Sequence, residues 1–307
     1  MNKTLFIGDI NIDILMYGLS SMPLPDREIT CAGFETVPGS SAFIAAHAFS
    51  SLGGKAGFAG LAGTDDNGVL MINAMKNAGI SSELVERTDK VKTGVTVNLI
   101  QENIRSQVTY PGTISEYSGS MLTPDALSSY THIHFAGPYQ QLKFKGKISS
   151  LLALAKDAGI TTSIDTQWDA TEKWEFLDDW LRKVDYLFVN SDEAVSITGC
   201  PGAEEACEKL ALLTACPVVK LGRAGAIAIS GSRAVKAFPY KVEVKDTTGA
   251  GDNFDAGFLF AILEKKLSFN EALHFGNAAG ARSCQFPGGT AAKSSYRDII
   301  DFMEAAK

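Results

Sequence analysis

Long apolar runs are missing from this chain: nowhere in its 307 residues is there a stretch near the ~18 that a membrane-spanning helix needs. The N-terminal Thr4-Leu5-Phe6-Ile7-Gly8 is interrupted at once by Asp9 and Asp13, so no secretory signal is expected. A cytoplasmic protein with no membrane partner is the default expectation. Cysteine is sparse and unpaired in pattern. The five (Cys31, Cys200, Cys207, Cys216, Cys284) are odd in number, scattered and without a C-x-x-C pair, which argues against a disulfide framework and a structural zinc site. They read as reduced packing residues. His132-Ile133-His134 puts two imidazoles on one face of a strand, but no third ligand lies nearby, and strand packing is the better reading.

Basic runs are missing too. The 28 Lys and Arg are outnumbered by 35 Asp and Glu, a formal charge of −7, and phosphate-backbone binding needs clustered cations. Nucleic acid is therefore not the expected partner. A small phosphorylated molecule stays open, because a few oriented N–H groups can hold phosphate locally. Two common nucleotide motifs are absent as well. Gly54-Lys55 is followed by Ala56 and Gly146-Lys147 by Ile148, so there is no Walker P-loop; Gly249-Ala250-Gly251 is followed at the third position by Phe254, so there is no dinucleotide fingerprint.

What is present is a rhythm of short strands and longer amphipathic segments. Strands are expected at Leu5–Gly8, Gly57–Leu61, His132–Ala136, Thr162–Asp165, Tyr186–Val189 and Val218–Leu221. Between and after them fall helices at Ser40–Leu52, Gly68–Asn77, Lys145–Asp157, Trp174–Leu181, Ala203–Leu213, Asn253–Leu263, Phe269–Ser283 and Tyr296–Ala305. Such alternation predicts an α/β fold with a largely parallel sheet covered on both faces. Two stretches, about 14–37 and 93–111, carry no helical period; the second reads as a hairpin turning at Glu102-Asn103. They fit either a small separate β-sheet hinged over the carboxyl edge of the main one, a lid, or a pair of surface hairpins. With no linker or repeat in view, residues 1–307 read as one domain with a β excursion.

The most informative segment is Asp246-Thr247-Thr248-Gly249-Ala250-Gly251-Asp252-Asn253-Phe254-Asp255-Ala256-Gly257, a β-type approach, a small-residue turn and an apolar helix. Gly249, Ala250 and Gly251 allow a ligand close to the backbone. Their N–H groups open a helix, where unpaired donors and the positive dipole end favour an anion. Asp252 would repel a bound phosphate, which makes sense if it is a general base for an attacking hydroxyl. Taken alone, the stretch fits equally well a carboxylate that only caps the helix.

Asp246–Asp252 followed by Phe254 and Gly257 resembles the C-terminal signature of the ribokinase-like (PfkB) family of carbohydrate kinases. The resemblance implies a three-layer α/β/α fold with a small β-sheet lid and ATP-dependent phosphorylation of a hydroxyl on a sugar or sugar derivative. A nucleoside kinase of pseudouridine or adenosine type, or a catalytically silent nucleotide-binding regulator, are its neighbours. Asp252 falls on the family's base, and Gly249, Ala250 and Gly251 on its anion hole. For the acceptor, the resemblance implies Asp13, Gly39, Ser40, Gly137 and Asp165; Asn11 alternates to the face of Asp13, and Arg105 on the second lid strand fits either a group reaching over the substrate or a solvated hairpin arginine. In the glycine-pair signature Pro38 stands for the first glycine and Phe43 near the usual Asn. Asn190-Ser191-Asp192-Glu193 resembles the N-x-x-E motif, with Glu193 positioning Mg²⁺ through water; a helix cap by Asn190 would look identical. Lys220, where many relatives have Thr, with Gly222, Gly225, Thr247 and Asn277, matches the nucleotide side, Asn277 facing the adenine. Asp246, Thr248, Ser283 and Gly288 match a monovalent-cation (K⁺) site. A homodimer through the lid strands is also expected.

Overall fold

Two sheets organise the chain in the computed structural model, which describes residues 2–101 and 104–306, with the backbone alone at Ile104 and Arg105. The strands are β1 Thr4–Ile7, β2 Asn11–Tyr17, β3 Gly33–Pro38, β4 Ala56–Gly63, β5 Ser81–Thr88, β6 Gly94–Gln101 and β7 Ile104–Tyr110. They continue as β8 His132–Ala136, β9 Thr161–Asp165, β10 Tyr186–Asn190, β11 Pro217–Lys220, β12 Ala226–Ser230 and β13 Arg233–Ala237. The large sheet runs β13-β12-β11-β10-β9-β8-β1-β4-β5. Every pair from β11 to β5 is parallel, and β12 and β13 close one edge antiparallel.

Alternate residues of one strand feed two different cores, as a period of two requires. Phe6 of β1 and Phe188 of β10 join a core with Phe49, Phe58, Phe258 and Phe275. Their neighbours Leu5, Ile7, Leu187 and Val189 join the other, with Phe135, Leu152 and Trp180. Burial on both faces explains why these strands read as unbroken apolar runs. The three layers are thus helices, sheet, helices. The helices Ala250–Leu263 and Phe269–Ser283 cross closely because Gly257 and Gly276 sit at the contact; a β-carbon on Gly257 would lie 2.7 Å from that of Ala279.

The two stretches without helical period do pair, into a sheet of order β3-β2-β6-β7. Asp13 lies beside Thr96, and Thr96 beside Thr109. Where this differs from the sequence reading, the strand leaves earlier: β2 begins at Asn11, after a bend of only Gly8-Asp9-Ile10. Asn11 and Asp13 therefore belong to the small sheet and not to the end of β1. The expected turn at Glu102-Asn103 lies outside the described residues. β5, β12 and β13 went unread: none is followed closely by a helix, and β5 and β13 are edge strands with polar residues interleaved. The helix expected from Asn253 starts at Ala250.

Candidate active site

Strand order reverses between β1 and β8, and in open α/β sheets ligands bind where it does, beyond the carboxyl ends of the strands. Asp9 follows β1, Gly137 follows β8, Asp165 ends β9, Asn190 ends β10 and Lys220 ends β11. The helix Ala250–Leu263 brings its N-terminus to the same edge. Its cap is Gly249 at φ 72°, where a side chain would be strained and a β-carbon would stand 2.7 Å from Gly289 Cα. The first intrahelical bond is from Asn253 N–H to the Gly249 carbonyl, so the amides of Gly251 and Asp252 come before it. The Asn253 side chain donates to the carbonyls of both Gly249 (2.8 Å) and Gly289 (2.9 Å). Asp246 fixes the other end: Oδ1 accepts from the Thr248 amide and hydroxyl, and Oδ2 from the Gly288 amide at 2.8 Å.

One wall of the cleft comes from the root of the small sheet. Asn11 Nδ2 donates to Asp13 Oδ1 (3.1 Å) and Thr96 Oγ1 (3.2 Å), while Asn11 Oδ1 is buried with no partner among the described residues. A β-carbon on Gly39 would collide with both Asp13 and Asn11, at 2.7 and 2.8 Å, so that glycine is needed for the approach. Ser40 takes φ 74°, a costly conformation of the kind that collects at functional sites. Its hydroxyl is already committed, donating to the Asp9 carbonyl (2.7 Å) and accepting the Phe43 amide (3.0 Å). Ser41 hydrogen-bonds to Asp252 and also accepts from the Gln167 amide. Phe43 is core, 1% exposed.

The opposite wall carries the nucleotide-side candidates. Asp165, Gln167, Asn190, Glu193, Lys220, Gly222 and Gly251 line a cavity of about 390 Å³. Asn190 caps the helix Ser191–Thr198 in a reciprocal capping box: its Oδ1 accepts the Glu193 amide, and its own N–H and Nδ2 donate to the Glu193 carboxylate at 2.9 and 2.7 Å. Cap and cavity wall are thus the same residues.

The protein comparisons agree with one another. The model of the pfkB family carbohydrate kinases matches residues 1–295. The chain belongs to that family. It is 25% identical to the ribokinase of Haemophilus influenzae over the full length of both chains, and 29% identical to a probable fructokinase-5 of Arabidopsis thaliana, covering 81% of this chain and 82% of that one. The ribokinase of Arabidopsis thaliana, solved with ribose and ATP, shares its fold with a TM-score of 0.84 at 21% identity, over 99% of this chain and 98% of that one. As a pfkB carbohydrate kinase, the protein is an ATP-dependent phosphotransferase with an alcohol acceptor.

Within this pfkB kinase, burial governs the titration of the site. Asp252 is 8% exposed, and burial, then the charge of Asp165, pushes its carboxyl up to about 7 against the pull of Lys220 and the Ser41 hydrogen bond. Burial likewise lifts Asp9 and Glu193 to about 7.

Asn277, Gly225 and Thr247 stand off the cavity. Asn277 is turned to Phe238, donating to its carbonyl at 2.7 Å, and does not line the cavity. Gly225 is buried against β13, where a β-carbon would meet the Ala237 carbonyl at 2.0 Å, so its small size serves the edge hairpin. Thr247 is exposed in the turn, its carbonyl accepting the Ala250 amide. Lys220 is turned toward Asp165 and Asp255 and away from open solvent. Arg105, on β7, pairs in register with Ile100 of β6, and its side chain lies outside the described residues. Gly137 packs near Gln167 Oε1, 2.8 Å from where its β-carbon would be. Sequence reasoning missed Asp9, Ser41, Gln167 and Asp255. The first three lie within two residues of ones it did name, and only that closeness could have raised them.

Proposed function

We propose that Asp252 is the general base of this carbohydrate kinase and that the turn Gly249–Gly251 receives the migrating phosphoryl group. The observation that carries this reading is the position of Asp252: a buried carboxyl in the first turn of a helix, directly after two amides that precede the intrahelical bonds, between the two walls of the cleft. The acceptor oxygen forms a bond to the γ-phosphorus of ATP, the bond from that phosphorus to the β–γ bridging oxygen breaks, and the hydroxyl proton passes to Asp252. A base held near neutrality is suited to that task. Asn11, Asp13, Gly39 and Ser40 form the acceptor side, with Gly137 beside them; the unpartnered Asn11 Oδ1 is an acceptor ready for a sugar hydroxyl. Sugar-type acceptors are the first reading.

Magnesium, when bound with the nucleotide, offsets phosphate charge. Glu193 and Asp165 are the carboxylates that would face it, and no three acidic, histidine or cysteine side chains cluster as a metal cage among the described residues. That suits a cation held mainly by water and phosphate. Potassium would sit where Asp246, the Thr248 and Ser283 carbonyls and Gly288 converge; Asp246 already ties these two loops together. Its role would be to fix the shape of the glycine turn.

The small sheet serves as a lid over the acceptor. It has two unlike faces: Asp13, Thr96, Asn98, Gln107 and Thr109 share one, while Phe34, Val108 and Tyr110 share the other at 67%, 68% and 50% exposure. A second copy of this chain would cover the apolar face, and sedimentation of a monomer alone at micromolar concentration would remove the dimer. The activity itself is tested by ADP release across a panel of sugars, sugar acids and nucleosides. Turnover with a sugar is the expected result; turnover only with nucleosides changes the acceptor class, and nucleotide binding with no turnover on any of them makes the chain a silent relative.

A further inference from the structure

The Lys220 side chain leans sideways across the sheet. From the end of β11 it passes over β10, its ammonium 6.0 Å from the centre of the Phe188 ring, and reaches β9. There it lies 2.9 Å from Asp165 Oδ2 and 3.2 Å from each carboxyl oxygen of Asp255. Asp255 is 0% exposed, on the helix Ala250–Leu263 one turn below Asp252, and does not line the cavity. A β-carbon on Gly251 would stand 3.2 Å from Lys220 Nζ, so the ammonium also borders the glycine turn.

Two buried carboxylates around one ammonium leave a surplus negative charge that a low-dielectric site does not tolerate. The Asp165 and Asp255 carboxyls are hydrogen-bonded to each other, so one proton between them takes up that surplus. Such a clamp fixes the ammonium without cancelling its use. The ammonium's three hydrogen bonds all go to these two carboxyls, while its positive charge still faces the glycine turn at Gly251.

We propose that Asp255 is a positioning residue that, together with Asp165, holds Lys220 Nζ beside Gly251 as a preformed cation for the phosphate chain of the nucleotide. The inference rests on the kinase reading above and adds a residue that touches no ligand and acts only through Lys220.

The test is calorimetric binding, with Mg²⁺ present, of a non-hydrolysable ATP analogue, ADP and adenosine to the wild type, Asp255→Asn, Lys220→Met and the double variant. Losing a charge-assisted contact weakens binding roughly tenfold to a hundredfold. That loss is expected for the ATP analogue in Lys220→Met and in part in Asp255→Asn, with less for ADP and under about twofold for adenosine. The double variant should bind no worse than Lys220→Met alone, because a residue acting through Lys220 has nothing left to position. Equal losses for adenosine and the ATP analogue, or losses that add in the double variant, would overturn the proposal in favour of a purely structural clamp. Should Asp255→Asn not fold, Lys220→Met/Asp255→Leu replaces the ion cluster with apolar side chains. It should show the same phosphate-dependent loss, and wild-type affinity for the ATP analogue there would refute the idea. Binding separates this outcome from the kinase reading: a wild type that turns over no acceptor yet binds phosphates through Lys220 sinks only the latter.

Discussion

The wall at the root of the small sheet and the wall formed by β9, β10 and β11 both crowd acidic groups toward one glycine turn, yet they manage the charge by different means. On the first, neutral donors from Ser40 and Asn11 reach Asp9 and Asp13, and burial raises Asp9 to about 7. On the second, Lys220 is raised well above its ordinary range: burial opposes its charge, and Asp165, Asp255 and Glu193 outweigh burial. Each wall carries a carboxyl that changes protonation near neutrality, Asp9 and Glu193, and the second also holds the fixed cation of Lys220. That difference fits a cleft whose first side must orient an uncharged alcohol, while the second must hold a polyanion.

Asp252 stands where the walls meet, and replacing it should have the largest effect. Asp252→Asn is expected to lower turnover by about 10² to 10⁴ with little change in binding of an ATP analogue. Steady-state kinetics beside calorimetry checks this, and unchanged turnover would take Asp252 out of the chemistry. Next in size is a stability effect confined to the second wall. Lys220→Met strands Asp165 and Asp255 at 6% and 0% side-chain exposure, and breaking a buried pair costs about 3–5 kcal/mol. Chemical denaturation of the ligand-free protein measures it. A cost comparable to that of Asp13→Asn, below ~1 kcal/mol for a half-buried group, would erase the contrast between the walls.

The glycine turn and Asp252 were legible in the sequence because everything they need is contiguous: a left-handed residue at Gly249, a small one at Gly251, and a carboxylate in the first helical turn. The capping box was legible for the same reason, with Asn190 and Glu193 three apart. The ion cluster was not, since the partners of Lys220 are 55 and 35 positions away and nothing local to Asp255 distinguishes it from a solvent-facing helix aspartate. Asn11 and Asp13 were read as a pair on one face, which holds, though their strand belongs to the other sheet. Periodicity reports alternation; it does not report which sheet a strand joins.

The first wall is probed by Asp13→Asn, which removes a charged partner for acceptor hydroxyls. The acceptor KM should rise roughly 10- to 100-fold with the nucleotide KM unchanged; a rise in both would mean that the walls are not separate. Smaller still is the effect of pH. Asp252 must be ionised to act, so kcat/KM should fall as pH drops through about 7. The Asp9 charge helps to raise Asp252, hence Asp9→Asn should move that limb to lower pH. The stability sign is opposite. Asp252, Asp9 and Glu193 hold their protons more tightly folded than unfolded, so their contribution is complete below pH ~4 and is lost as pH rises through about 7. Activity and their share of stability should run in opposite directions over that interval, and parallel trends would contradict the assignment.

Asn277 offers the smallest effect and the sharpest choice between two readings of one residue. The sequence resemblance sets it toward the adenine, but its side-chain amide is committed at 2.7 Å to the Phe238 carbonyl, tying the helix Phe269–Ser283 to the segment after β13. If the tie is its work, Asn277→Ala loses about 1 kcal/mol of stability, the usual cost of one such bond, and adenosine affinity stays within about twofold. If the amide leaves Phe238 to meet the base, adenosine and the ATP analogue weaken by equal factors, because the loss falls on the ring and not on the phosphates. That pattern is the reverse of the one expected for Lys220, so the two variants measured together divide the nucleotide side into the part that reads the base and the part that holds the charge.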